Sequence, residues 1–118
     1  MTSSAPADIL DVAALNDLKD MLGEALAEIA DSFLGGLDGE VGAIQQALGA
    51  DAVAIRAAAH SLKGSAGNMG VRVLAQLASA IEKAAMEGDV ARCAALAQGL
   101  PEVATQARLA LAAYIAQS

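Results

Sequence analysis

Residues 51–70 read DAVAIRAAAHSLKGSAGNMG. Asp51 is a good helix N-cap, Gly70 is a natural stop, and the alanines between them are the strongest helix formers. The spacing predicts a helix from Ala52 to Met69. At about 100° per residue, Ile55, Ala59, Leu62, Ala66 and Met69 gather into one buried stripe. Lys63, Arg56, Gly67, His60 and Gly64 lie progressively further round the same wheel, with His60 at about 140° from the stripe and Gly64 opposite it. The chain's only histidine is therefore expected to face solvent, with two cations and two glycines within two turns.

The same punctuation continues in both directions. Asp11 caps a short first helix with Leu15, Leu18 and Leu22 at apolar spacing, and Gly23 ends it. A second helix is expected from Glu24 to Leu48, with a stripe of Leu26, Ile29, Ala30, Phe33, Leu37, Val41, Ile44 and Leu48. Gly35, Gly36, Gly39 and Gly42 interrupt it where helix formers would be expected. Gly35, Gly39 and Gly42 fall opposite the stripe, towards solvent. A fourth helix is expected from Val71 to Glu87, burying Leu74, Leu77, Ala78, Ile81 and Ala85. Gly88-Asp89 then turns the chain into a last stretch from Val90 to Ala116, kinked or briefly broken at Gly99-Leu100-Pro101, where proline removes a backbone donor. Short loops make neighbouring helices antiparallel. The fold class is all-α: an antiparallel up-down four-helix bundle over residues 9–118, with the short first helix covering one end and a flexible N-terminus at residues 1–8.

Composition narrows the function. Alanine supplies 31 of 118 residues, with one Phe, one Tyr and no Trp, which excludes an all-β fold. Ten acids and one base precede Ala52, and four acids and six bases follow, for a net charge of −7. An acidic chain without a basic cluster is a poor nucleic-acid binder and a poor match for an anionic membrane. Cys93 is alone, so there is no internal disulfide, and it reads as a small core residue. The start MTSSAPADIL lacks a secretory pattern and no stretch is long and apolar enough for a membrane span. The expectation is a soluble, cytoplasmic monomer. One histidine without a carboxylate cluster makes no metal site, and no glycine-rich phosphate loop is present, so neither a metal nor an ATP site is expected.

A solvent-facing imidazole is a nucleophile that is substantially neutral near pH 7. Lys63 at i+3 is placed to neutralise an anion on the ring, and Arg56 one turn before it is a second candidate. Gly64 and Gly67 leave bare backbone beside the ring, although glycine costs ~1 kcal/mol per helical position relative to alanine. Phosphoryl transfer to or from the histidine would use all of these features. Across an antiparallel pair turning near Gly70, Glu82 comes close enough to hydrogen-bond the ring nitrogen opposite the reactive one.

His60-Ser61-Leu62-Lys63-Gly64-Ser65-Ala66-Gly67-Asn68 resembles the signature of histidine-containing phosphotransfer (HPt) domains of two-component phosphorelays. The pattern is His, any residue, an apolar residue, Lys, Gly, then small residues and a further Gly. The resemblance extends from about Ile9 to Ile115. It implies a four-helix bundle whose histidine accepts a phosphoryl group on a ring nitrogen and passes it to an aspartate of a receiver domain. Carried over residue by residue, His60 is the phosphoacceptor, Lys63 the charge partner and Gly64 the small residue that admits the receiver. The implied partners are response-regulator receiver domains and a sensor or hybrid histidine kinase. No cofactor is implied for this chain, and any magnesium would belong to the receiver. A non-phosphorylated helical adaptor and a homodimeric structural module are the alternatives; a pure adaptor has no need of His60 or Lys63, and a sizing measurement addresses the dimer.

Overall fold

The computed structural model describes residues 9–117, so the expected flexible segment 1–8 lies outside the described residues. Six helices and no strand are found there: α1 Val12–Leu22, α2 Ala25–Ala47, α3 Ala52–Asn68, α4 Arg72–Met86, α5 Val90–Ala97 and α6 Leu100–Ala116. None of them is long and apolar enough to cross a membrane.

The boundaries follow from local chemistry. Asp11, Asp51 and Asp89 each turn a carboxylate oxygen onto a backbone N–H three residues on, at Ala14, Ala54 and Arg92, over 3.1, 2.8 and 3.0 Å. Each satisfies an orphan donor of a first helical turn. Helix α3 ends in a reciprocal cap, with Val71 N–H donating to Ala66 and Gly70 N–H to Gly67. Gly70 takes the left-handed φ of 73° this requires. The chain breaks at Gln98–Gly99, and Pro101 stands in the first turn of α6, where its missing donor is harmless. The expected interruption is thus a full break between two helices.

Helices α3 and α4 pack along their length across a three-residue turn. Helix α2 packs against α3 and α6, and α4 packs against α5 and α6. The α3 stripe of Ile55, Ala59, Leu62, Ala66 and Met69 is buried throughout. Facing it in the core are Leu37, Val41 and Ile44 of α2 and Leu74, Ala78 and Ile81 of α4. Helix α1 lies over the α3–α4 turn. Asp11 N–H donates to Gly70 O at 2.7 Å, and a Cβ on Gly70 would meet Leu15 Cγ at 3.0 Å.

Some stripe assignments need correction. Ile29 is 44% exposed; it lines an open groove with Phe33 of α2 and with Ser65, Asn68 and Met69 at the end of α3. Leu22, on the last turn of α1, is also exposed, and Leu77 is only half-buried. Gly35 and Gly39 face solvent as expected, whereas Gly42 is half-buried. Cys93 is buried, with its thiol pushed up chiefly by that burial, as befits a core side chain.

Candidate functional site

His60 stands at the midpoint of α3 with its side chain 69% exposed. Its Nδ1 lies 2.7 Å from Glu82 Oε2 of α4. The other oxygen of the same carboxylate, Oε1, accepts from Lys63 Nζ at 2.5 Å. One acid from α4 thus bridges two residues of α3 spaced i, i+3, the pairs that share a helix face. Glu82 is 8% exposed, the one charged residue in the described core. A buried carboxylate is tolerated only when its oxygens are satisfied, and here both are.

This arrangement fixes the protonation pattern. The Lys63 hydrogen bond, and next to it the His60 bond, hold the Glu82 carboxyl below its usual range, against the opposing effect of burial. An ionised carboxylate can only accept, so Nδ1 carries the hydrogen of that bond. In the neutral ring the lone pair then falls on Nε2, on the far side from Glu82.

The sequence-derived site residues separate into two groups. His60, Lys63 and Glu82 are joined in one hydrogen-bonded unit. Lys63, read from the sequence as placed to neutralise an anion on the ring, binds Glu82 through one of its three donors, and its side chain is 38% exposed. Arg56 has no hydrogen bond or ion pair among the described residues. It lines an open groove with Val53, Ala57, His60 and Glu82. Gly64 and Gly67 are exposed, and a Cβ on either would meet nothing within 4 Å. Neither has a positive φ, so the fold itself does not require glycine at these two positions.

The sequence reading missed Glu40 of α2. Its Oε2 accepts from Ser61 Oγ at 3.1 Å and its Oε1 from Ser65 Oγ at 2.7 Å. The arithmetic that brought Glu82 near His60 across the α3–α4 turn would have found it across the α2–α3 turn.

The model of the Hpt domain matches residues 14–113. The chain belongs to the Hpt-domain family. Its fold is similar to the crystal structure of histidine-containing phosphotransfer protein B (HptB) from Pseudomonas aeruginosa PAO1. The two share 28% identity over 98% of this chain and 99% of that one, with a TM-score of 0.87. No curated protein sequence matches the chain. As an Hpt domain, it is a phosphotransfer intermediate of two-component signalling, and such domains are phosphocarriers, not kinases.

Proposed function

We propose that His60 Nε2 accepts a phosphoryl group from a receiver aspartyl phosphate, or through a histidine kinase pathway, and passes it to a response-regulator receiver domain. The Glu82–His60 hydrogen bond carries this reading, because it leaves the exposed ring nitrogen as the nucleophile. In the accepting step the Nε2 lone pair forms the N–P bond. The bond from phosphorus to the partner's carboxylate oxygen breaks, and its electron pair leaves on that oxygen. The imidazole becomes cationic, with its proton held at Nδ1 against the Glu82 carboxylate. Donation runs the same bonds in reverse. No proton has to leave the ring in either direction, so the chain supplies position and charge while the remaining chemistry belongs to the partner.

Lys63 supports the site by holding Glu82 ionised, and Arg56 is the cation open to an incoming phosphoryl oxygen. Gly64 and Gly67 leave room for a receiver to bring its aspartate in line with Nε2. Any divalent ion would be the receiver's. The contacts of α2 with α3, α3 with α4, and both α4 and α2 with α6 support a four-membered bundle in which α5 and α6 together form the last member. The seating of Leu15 on Gly70 supports α1 as the cover of one end.

Incubation with receiver domains from the same genome, charged with acetyl phosphate, tests the assignment by intact mass. An acid-labile phosphoryl adduct is expected on the wild-type protein. The His60→Gln protein should keep its helicity and take up none. Label on that variant would assign the chemistry to another nucleophile.

A further inference from the structure

Glu40 stands outside the His60–Glu82–Lys63 unit, yet it grips the same helix from the other side. Both of its oxygens are engaged, by hydroxyls one turn apart on α3. Serine inside a helix ordinarily turns its hydroxyl back onto its own backbone. Ser65 keeps only a long 3.3 Å contact of that kind to Leu62 O and gives its 2.7 Å bond to Glu40. The carboxylate rises from the glycine-rich tract of α2, between Gly39 and Gly42. A Cβ at Gly36, Gly39 or Gly42 would touch nothing within 4 Å. These positions add no contact of their own between α2 and α3, which leaves register along this stretch to the apolar side chains Leu37, Val41 and Ile44 and to the directional bonds of Glu40. The Ser65 link is half-buried and the Ser61 link lies at the surface, and fixing register is the best-attested use of buried polar groups between helices. Helix α3 is thus held by two carboxylates, Glu82 from α4 and Glu40 from α2, with His60 on the face between them.

We infer that Glu40 is a positioning residue: by bridging Ser61 and Ser65 it fixes the roll and register of α3 against α2, and so the direction in which His60 presents its free nitrogen. The inference rests on the reading of His60 as phosphoacceptor. Its leverage is geometric, since a ~1 Å misplacement at reacting atoms lowers a rate ~100-fold.

Three full-length variants separate latch from charge. Ser61→Ala/Ser65→Ala removes the hydroxyls and keeps the acid. Glu40→Gln keeps a side chain able to bond both serines and removes the charge. Glu40→Ala removes both. Helicity and melting are checked first, and Ser65→Ala alone replaces the double variant should that not fold. Phosphotransfer from acetyl-phosphate-charged receivers is measured at saturating and limiting receiver, and the His60 ring is followed by 15N NMR. We expect the hydroxyl variant and Glu40→Ala to lose about tenfold or more in kcat with KM within about twofold. Their ring nitrogens should also shift away from the single Nδ1-protonated form as α3 moves relative to Glu82. Glu40→Gln should keep at least half the wild-type rate. Wild-type kcat and ring spectrum in the hydroxyl variant would overturn the proposal. So would a change confined to KM, or a Glu40→Gln protein as slow as the hydroxyl variant. If the wild-type protein accepts no phosphoryl group, the His60 assignment fails, and the ring spectrum alone decides the latch: a shift in the hydroxyl variant upholds it and an unchanged spectrum refutes it.

Discussion

Glu82 Oε2 lies 2.7 Å from His60 Nδ1, although 22 positions of chain separate the two residues. The bond occupies one ring nitrogen and leaves the other in solvent. It also places a negative charge behind the ring, where it would stabilise the imidazolium that the proposed phosphorylation of His60 forms. Most of the behaviour expected of this site follows from that pairing.

Replacing the acid should release the ring. In Glu82→Gln the amide can donate or accept, so Nδ1 is no longer obliged to carry the hydrogen. The 15N spectrum of His60 should show a mixture of tautomers in place of one. Phosphoryl acceptance should fall by about tenfold, ~1.4 kcal/mol of barrier. A ring that stays in the single Nδ1-protonated form would show that Glu82 does not set the tautomer.

Lys63 and Arg56 should fail in different ways. Lys63→Ala strips Glu82 of a charge-assisted hydrogen bond, so it should lower stability by about 1 kcal/mol, less than a fully buried bond of this type because the lysine is half-exposed. Arg56→Ala should leave melting within ~0.5 kcal/mol of wild type, as an exposed side chain without a partner among the described residues. Its effect should fall on the phosphorylated protein, which carries up to about two added negative charges. A faster loss of the phosphohistidine, diminished at high salt, is the expected result. Equal phosphohistidine lifetimes in Arg56→Ala and wild type would remove Arg56 from the site.

Gly64 and Gly70 separate partner access from folding. Gly64→Gln adds a side chain into open space and exchanges glycine for a better helix former, so the fold should be stabilised by up to ~1 kcal/mol. Transfer from a receiver should nevertheless slow at least about tenfold, because the side chain stands beside the ring. Gly70→Ala should do the opposite. It forces a left-handed φ on alanine and presses on Leu15, at a stability loss of at least ~1 kcal/mol, visible in a thermal melt. Wild-type transfer by Gly64→Gln would mean that the glycine admits nothing.

The Glu82 pair also sets a pH dependence. Its carboxyl is held below its ordinary value of 4.5 in the folded chain, first by Lys63. Below 4.5 the unfolded chain takes up a proton that the folded chain still refuses, so the stabilisation is complete above that pH and is lost as pH falls through the lower folded value. Wild type should therefore lose more melting temperature than Glu82→Gln as pH drops from about 5.5 into the acid range. Parallel melting curves for the two proteins would contradict this.

Much of the molecule was legible without coordinates. The helix limits at Asp11, Asp51, Asp89, Gly23, Gly70 and Gly88 are written in residue types whose capping and turning chemistry acts over a few positions. The outward aim of His60 and the inward stripe from Ile55 to Met69 follow from helical period alone. Turn arithmetic placed Glu82 near His60, but the other partners of these side chains were not stated by the sequence. Spacing set Lys63 beside His60, and only the approach of α4 showed it bound to Glu82 as well. Glu40 lay within reach of α3 by the same turn arithmetic, but nothing in its own segment marked it as bonded to two serines. Arg108 of α6, which donates to Leu34 O and Asp38 of α2, was equally silent. Ile29 fitted the stripe of α2, but burial depends on what packs against a position, and Ile29 opens onto a groove. Periodicity and capping are properties of one helix and are fixed by neighbours a few residues apart. Pairings between helices depend on crossing geometry and register, which are set by the packing of the whole core, and no single segment contains them.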